Sequence, residues 1–139
     1  MVREFGAALL INPTQTDDVV GAIRDATQGL GAHAALEASS SPAARRQAVQ
    51  SVRTWGKVCL VGEGNELTLD VSKDILRRQV TIMGSWTFSK VGLADCARFV
   101  ADRQVEVDRL FTHTWRLDEA EEAYRLFDRQ SDGKGVFLM

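Results

Sequence analysis

A chain of 139 residues, 45% hydrophobic and 26% charged, has the composition of a folded globular protein, which excludes a disordered, collagenous or coiled-coil chain. Its 17 basic and 19 acidic residues nearly balance at a formal charge of -2, and neither sign gathers into a run, so nucleic acid is not an expected partner. The apolar stretches fall far short of the roughly 18 residues that span a bilayer, and MVREFG at the start has no long apolar region, so a cytoplasmic protein of one domain over residues 1–139, without a membrane partner, is expected.

Strand and helix signals alternate along the chain. Ala7 to Ile11 is a short apolar run stopped by Asn12-Pro13-Thr14 and reads as a buried strand. Asp17 to Gln28 follows as an amphipathic helix, with Thr16 as its expected N-cap and Gly29 as its stop. His33 to Ala38 is a second strand, and Ser41-Pro42 opens a helix to about Arg53 that buries Ala44, Ala48, Val49 and Val52. Trp55-Gly56 breaks it, and Lys57 to Val61 is the clearest strand, closed by Gly62-Glu63-Gly64.

Asp70 to Arg78 holds one or two helical turns, and Val80 to Met83 is a β-branched strand ending at Gly84. Val91 to Arg103 reads as a helix with Leu93, Cys96, Ala97 and Val100 inward, and Thr112 to Trp115 as a short strand. Leu117 to Gln130 is the most regular helix, with Ala120, Ala123, Tyr124 and Phe127 on one stripe; Asp132-Gly133 stops it and Gly135 to Met139 is a last strand. Strands separated by helices of these lengths define an α/β fold with a mainly parallel sheet between helical layers, and ligands of such sheets bind beyond the carboxyl ends of the strands. Those ends lead into the loops at Glu37 to Ser41, Gly62 to Asn65 and Gly84 to Ser89.

Familiar chemical motifs are missing. No G-x-G-x-x-G joins the first strand to its helix, and no Gly-Lys-Ser/Thr marks a P-loop. Cys59 and Cys96, with His33 and His113, show no zinc-ligand spacing, so no metal site and no catalytic constellation is expected. Ser39, Ser40 and Ser41 lack a nucleophile-elbow setting and read as turn and cap residues. Glu37 is placed either to contact a ligand hydroxyl or to hydrogen-bond a neighbouring loop; His113 reads as a packed strand residue, and Trp86 and Phe88 as aromatics at an interface or pocket.

The runs LEASSSPAARRQAVQSVRTWGKVCLVGEG, LDVSKDILRRQVTIMGSWTFS and FTHTWRLDEAEEAYRLFDRQSDGKGVFLM resemble, in order and spacing, the C-terminal portion of zinc-type medium-chain alcohol and polyol dehydrogenases. The resemblance implies a partial Rossmann-like fold, three-layered and lacking the first two strands, in which 112–139 corresponds to the family's return to its catalytic domain. It implies NAD or NADP as cofactor, with Ala38 and Ser39 beside the adenosine, Leu60, Val61 and Gly62 beside the nicotinamide ribose, and Gly84, Ser85 and Trp86 near the carboxamide. Lys134 is the nearest counterpart of the basic residue that often holds a cofactor phosphate. The zinc ligands, the glycine motif and the acidic ribose-binding residue would lie upstream, so weak or no dinucleotide binding, no zinc and no dehydrogenase activity alone are expected.

Two alternatives follow from the same resemblance. One is a homodimeric interaction or scaffold module associating through Val80 to Phe88, and the other a fragment completing its site with a separate N-terminal dehydrogenase chain. In the family order 3-2-1-4-5-6, absence of the first two strands leaves Ala7 to Ile11 apart from His33 to Ala38. The expected repair places these two strands side by side, giving 3-4-5-6, or fills the gap with a strand swapped from a second chain.

Overall fold

The computed structural model describes residues 3–129 and 133–139. Contacts cluster into two compact units, Met1–Thr87 and Phe88–Met139. The first contains helix α1 (Val19–Ala26), strand β1 (Ala32–Glu37), helix α2 (Pro42–Ser51), strand β2 (Val52–Leu60), two helical turns at Val71–Ile75 and Leu76–Arg78, and strand β3 (Thr81–Gly84). The second contains helix α3 (Lys90–Asp102), strand β4 (Phe111–Arg116), helix α4 (Ala120–Asp128) and strand β5 (Lys134–Leu138). Both sheets are parallel, in the orders β1-β2-β3 and β4-β5, and helices join their strands, so the chain has the expected mainly parallel α/β architecture. Gln130 and Asp132, at the expected end of the last helix, lie outside the described residues.

Burial explains the local order of the first unit. Val49 of α2, Val52 and Val58 of β2, and Val80 form its buried core, with Ala35, Leu60, Leu67, Leu69 and Ile82 packed against it. Side chains two residues apart share a face of a strand, so Ala35, Val58, Leu60 and Ile82 face α2, while Leu36 and Met83 lie on the opposite face and stay exposed. Ser41 caps α2 by accepting from the Ala44 amide, and Pro42 occupies its first position, as the sequence predicts. At the far end of α2, Arg24 donates to the Gln50 carbonyl, and Arg78 to those of Val49 and Val52, so two cations satisfy carbonyls that the helix leaves unpaired.

Several expectations are corrected. The N-cap of α1 is Asp18, not Thr16: its carboxylate accepts from the Gly21 amide at 2.7 Å. Ala7 to Ile11 is not a strand. The turn that ends it forms, with the Asn12 side chain accepting from the Thr14 amide, but Leu9 and Leu10 are exposed and no ladder includes the segment. A lone extended segment has no internal partner for its amides and carbonyls, and the repaired order with Ala7 to Ile11 beside β1 does not form. In α3, Leu93, Cys96 and Ala97 are exposed and the helix has no buried residue, and Tyr124 of α4 is also exposed. In α3 the 3.6-residue pattern marks a face that the described residues leave uncovered apart from half-buried Val100, whereas in α4 the stripe is covered in part, with Ala123 buried and Phe127 half-buried against His113 and Trp115.

Candidate functional site

Three parallel strands reach their carboxyl ends together. Glu37 pairs with Leu60 and Leu60 with Gly84, so the loops after β1, β2 and β3 leave the sheet from one edge. The ladder extends one step past these ends: the Val61 and Gly62 amides donate to the Glu37 carbonyl at 2.8 and 3.2 Å, and the Ser85 amide to the Leu60 carbonyl at 3.0 Å. The first two loops touch backbone to backbone, since a Cβ at Gly62 would stand 2.5 Å from the Ser40 nitrogen. Only glycine permits that approach. A Cβ at Gly84 meets nothing within 4 Å, so the space there is open.

The residues singled out for the cofactor therefore gather along one row of strand ends. Ala38, Ser39, Val61, Gly84, Ser85 and Trp86 are exposed, while Leu60 and Gly62 are half-buried. A cavity of about 390 Å³ beside β1 is lined by Val19, Ile23, Leu36, Ala38, Ser39 and Ala44, among others. Phe88 belongs to the second unit. There His113 stacks on Trp115, centroids 5.3 Å apart, meets Phe127 edge-on and lies 2.7 Å from the Thr112 hydroxyl through Nδ1, so it is the packed strand residue that its setting predicts. Another cavity of about 350 Å³, lined by Trp115, Tyr124, Phe127, Lys134 and Phe137, includes none of the predicted strand-end contacts.

Between its two predicted roles, Glu37 takes the one inside the protein. Its Oε1 accepts from the Ser39 amide and hydroxyl, each at 2.6 Å, and its Oε2 stands 3.6 Å from Nε of Arg45. Burial pushes this carboxyl up; the bonds from Ser39, the Ser40 backbone and the charge of Arg45 together outweigh burial and hold it below its ordinary value. Arg45, buried at the start of α2, also donates to the Asn65 carbonyl at 2.6 Å and the Gly62 carbonyl at 2.5 Å. The sequence reading missed Arg45. Its signal is an arginine four residues before Val49, on the stripe of α2 that faces the sheet, where a charge must find a partner.

Tested against a nicotinamide dinucleotide, these residues fit in part. Ala38, Val61 and Gly84 offer exposed backbone and small apolar groups against which a ribose or a flat ring can lie. A pyrophosphate needs free amide donors, whereas those of Ser39, Ser41, Val61, Gly62 and Ser85 are all donated within the protein. A zinc ion does not fit the donor set, because the described residues bring together no group of three His, Cys, Asp or Glu side chains that could hold a metal.

Comparison with known proteins shows the family to which the chain belongs. The family model described as zinc-binding dehydrogenase matches residues 1–102. The chain is 34% identical over 121 residues to YphC of Escherichia coli, described as a zinc-type alcohol dehydrogenase-like protein, covering 87% of this chain and 34% of that one. It is 31% identical to an L-threonine 3-dehydrogenase of Pyrococcus horikoshii, covering 100% of this chain and 40% of the relative. Among solved structures, the alcohol dehydrogenase TADH of Thermus sp. ATN1 superposes with a TM-score of 0.82 at 27% identity, over 95% of this chain and 38% of that one. This chain thus belongs to the zinc-binding dehydrogenase family, and it spans well under half the length of these relatives.

Proposed function

We propose that this chain supplies the strand-end part of an NAD(P) crevice to a zinc-type medium-chain dehydrogenase acting on an alcohol or polyol, and that alone it is catalytically silent. One observation carries the reading: in a chain of this family, the ends of β1, β2 and β3 stand in register and open onto one row of exposed residues. Ala38 and Ser39 would face the adenosine, Leu60, Val61 and Gly62 the nicotinamide ribose, and Gly84, Ser85 and Trp86 the carboxamide. When bound, the nicotinamide accepts or delivers a hydride. The chain's own residues bind and orient the dinucleotide at its ribose and ring ends, and with the amides spent they leave its pyrophosphate unheld. Affinity for NADH or NADPH is therefore weak.

The test is an amide-resolved NMR titration of the full chain with NADH and NADPH at millimolar concentrations. Shifts confined to residues 38–41, 60–62 and 84–86 support the crevice. No shifts, or shifts mapped elsewhere, overturn it, and a submicromolar Kd overturns its incompleteness.

A second reading is a cytoplasmic homodimer joined through Val80 to Phe88. It is favoured by β3, which pairs only with β2 among the described residues and leaves Met83 and Trp86 exposed. A third is completion by a separate N-terminal dehydrogenase chain. The uncovered edge of β1 and the 34 to 40% share of its relatives' length favour that arrangement.

A further inference from the structure

The described charged side chains of the first unit contain one buried ion pair whose two members reach two different crevice loops. Glu37 lies at the end of β1, 4% exposed, and ties down the loop after β1 through Ser39. Arg45 lies in the first turn of α2, 8% exposed, and ties down the loop after β2 through the Gly62 and Asn65 carbonyls. Glu37 Oε2 and Arg45 Nε face each other at 3.6 Å as an ion pair, and neither of these two buried atoms has a hydrogen-bond partner among the described residues. Both loops carry a non-glycine residue at positive φ, Ser40 at 62° and Asn65 at 61°, a conformation kept only where surrounding contacts impose it. The fork of a guanidinium suits this task, because it aims donors at two carbonyls at once while its Nε faces a carboxylate.

We infer that Arg45 is a positioning residue: paired with Glu37, it fixes the loop Gly62–Asn65 against the loop Ala38–Ser41 and so holds the floor of the crevice in the shape the dinucleotide meets. This rests on the crevice reading for its consequence, although the loop geometry itself is independent of any ligand. Arg45 touches no bound molecule in this scheme. Removing its donors frees two carbonyls and strands the Glu37 charge, and the loop after β2 loses its anchor while the ladder between β2 and β3 persists.

The test is hydrogen–deuterium exchange on the full-length chain, comparing Arg45→Met, Arg45→Lys and Glu37→Gln with the parent, and using Arg78→Met as a control that removes a different buried-carbonyl donor. Arg45→Met should speed exchange in residues 61–66 by tenfold or more, leave residues 57–60 and 81–84 at parental rates, and weaken the NADH-induced shifts. Arg45→Lys, which keeps the charge but loses the fork, and Glu37→Gln should fall between. Arg78→Met should leave residues 61–66 unchanged. Parental exchange in 61–66 overturns the inference, and so does a uniform rise across the unit, which would make Arg45 merely a core residue. Should Arg45→Met fail to fold, the lysine and glutamine variants decide by the same criterion. Exchange uses no dinucleotide, so a parent chain that shows no NADH shifts sinks the crevice reading and leaves the loop result to stand or fall separately.

Discussion

Glu37 is the residue at which local chemistry and site geometry meet most directly. Its carboxyl titrates below its ordinary value of 4.5, because the bonds from Ser39 and Ser40 and the charge of Arg45 outweigh burial. A lowered folded value means that the ionised group stabilises the fold above its unfolded value, and that this stabilisation is lost as pH falls through the folded one. Denaturant midpoints should therefore hold steady from neutral pH to about 5 and fall below 4.5, while Glu37→Gln should start lower and flatten that acid limb. An unaltered acid limb in the variant would remove Glu37 from the account. Trp55 poses the opposite case: it sits at φ 65° and is 68% exposed, so it bears left-handed backbone strain with little burial in return. Trp55→Gly should raise stability by about 1 kcal/mol in urea unfolding, and a loss of that size would show that the indole packs more than its exposure implies.

At the scale of elements, edge strand β3 decides what the first unit can do with a second copy. Its residues alternate: Val80, just before it, and Ile82 pack toward the core, whereas Thr81 and Met83 are exposed. A lysine at Ile82 would therefore disturb folding as much as association, and Met83 is the better probe. If the Val80 to Phe88 segment pairs across a two-fold axis, Met83→Lys should convert a dimer to a monomer in light scattering at tens of micromolar while leaving the far-ultraviolet circular dichroism unchanged. A parent chain that is monomeric under the same conditions removes the dimer reading outright.

For the molecule as a whole, two observations bear on catalysis: the described residues bring together no metal-holding cluster, and the amides of Ser39, Ser41, Val61, Gly62 and Ser85 at the strand ends are donated within the protein. The chain supplied with zinc, NAD or NADP and a panel of alcohols and polyols should show no turnover above buffer. Turnover that survives repurification and scales with protein concentration would overturn the proposal of silence. No helix among the described residues is long and apolar enough to cross a membrane.

Periodicity and turn chemistry in the sequence were enough to place every strand but β2, and α1 to α4, within a few residues, because each element's apolar spacing, cap or stop is local. The exception, β2, starts at Val52, five residues before the expected Lys57, so α2 ends at Ser51 short of Arg53 and Trp55-Gly56 lies inside the strand instead of breaking the helix there. The row of strand ends was legible too, since Glu37, Leu60 and Gly84 each precede a Gly- or Ser-containing loop and parallel strands must end on one side. Local pattern could not decide which faces find a partner. Leu93 and Tyr124 carry the same inward signal as Val49, yet only Val49 is covered. Ala7 to Ile11 has a strand's composition without a strand's neighbour, and a ladder exists only where a second backbone is at hand. Glu37 turns into the protein through a local part and a tertiary one: Ser39, two residues on, donates to Oε1, and Arg45, eight residues on and one turn into the next helix, faces Oε2 while the fold brings its side chain back over the loop after β2.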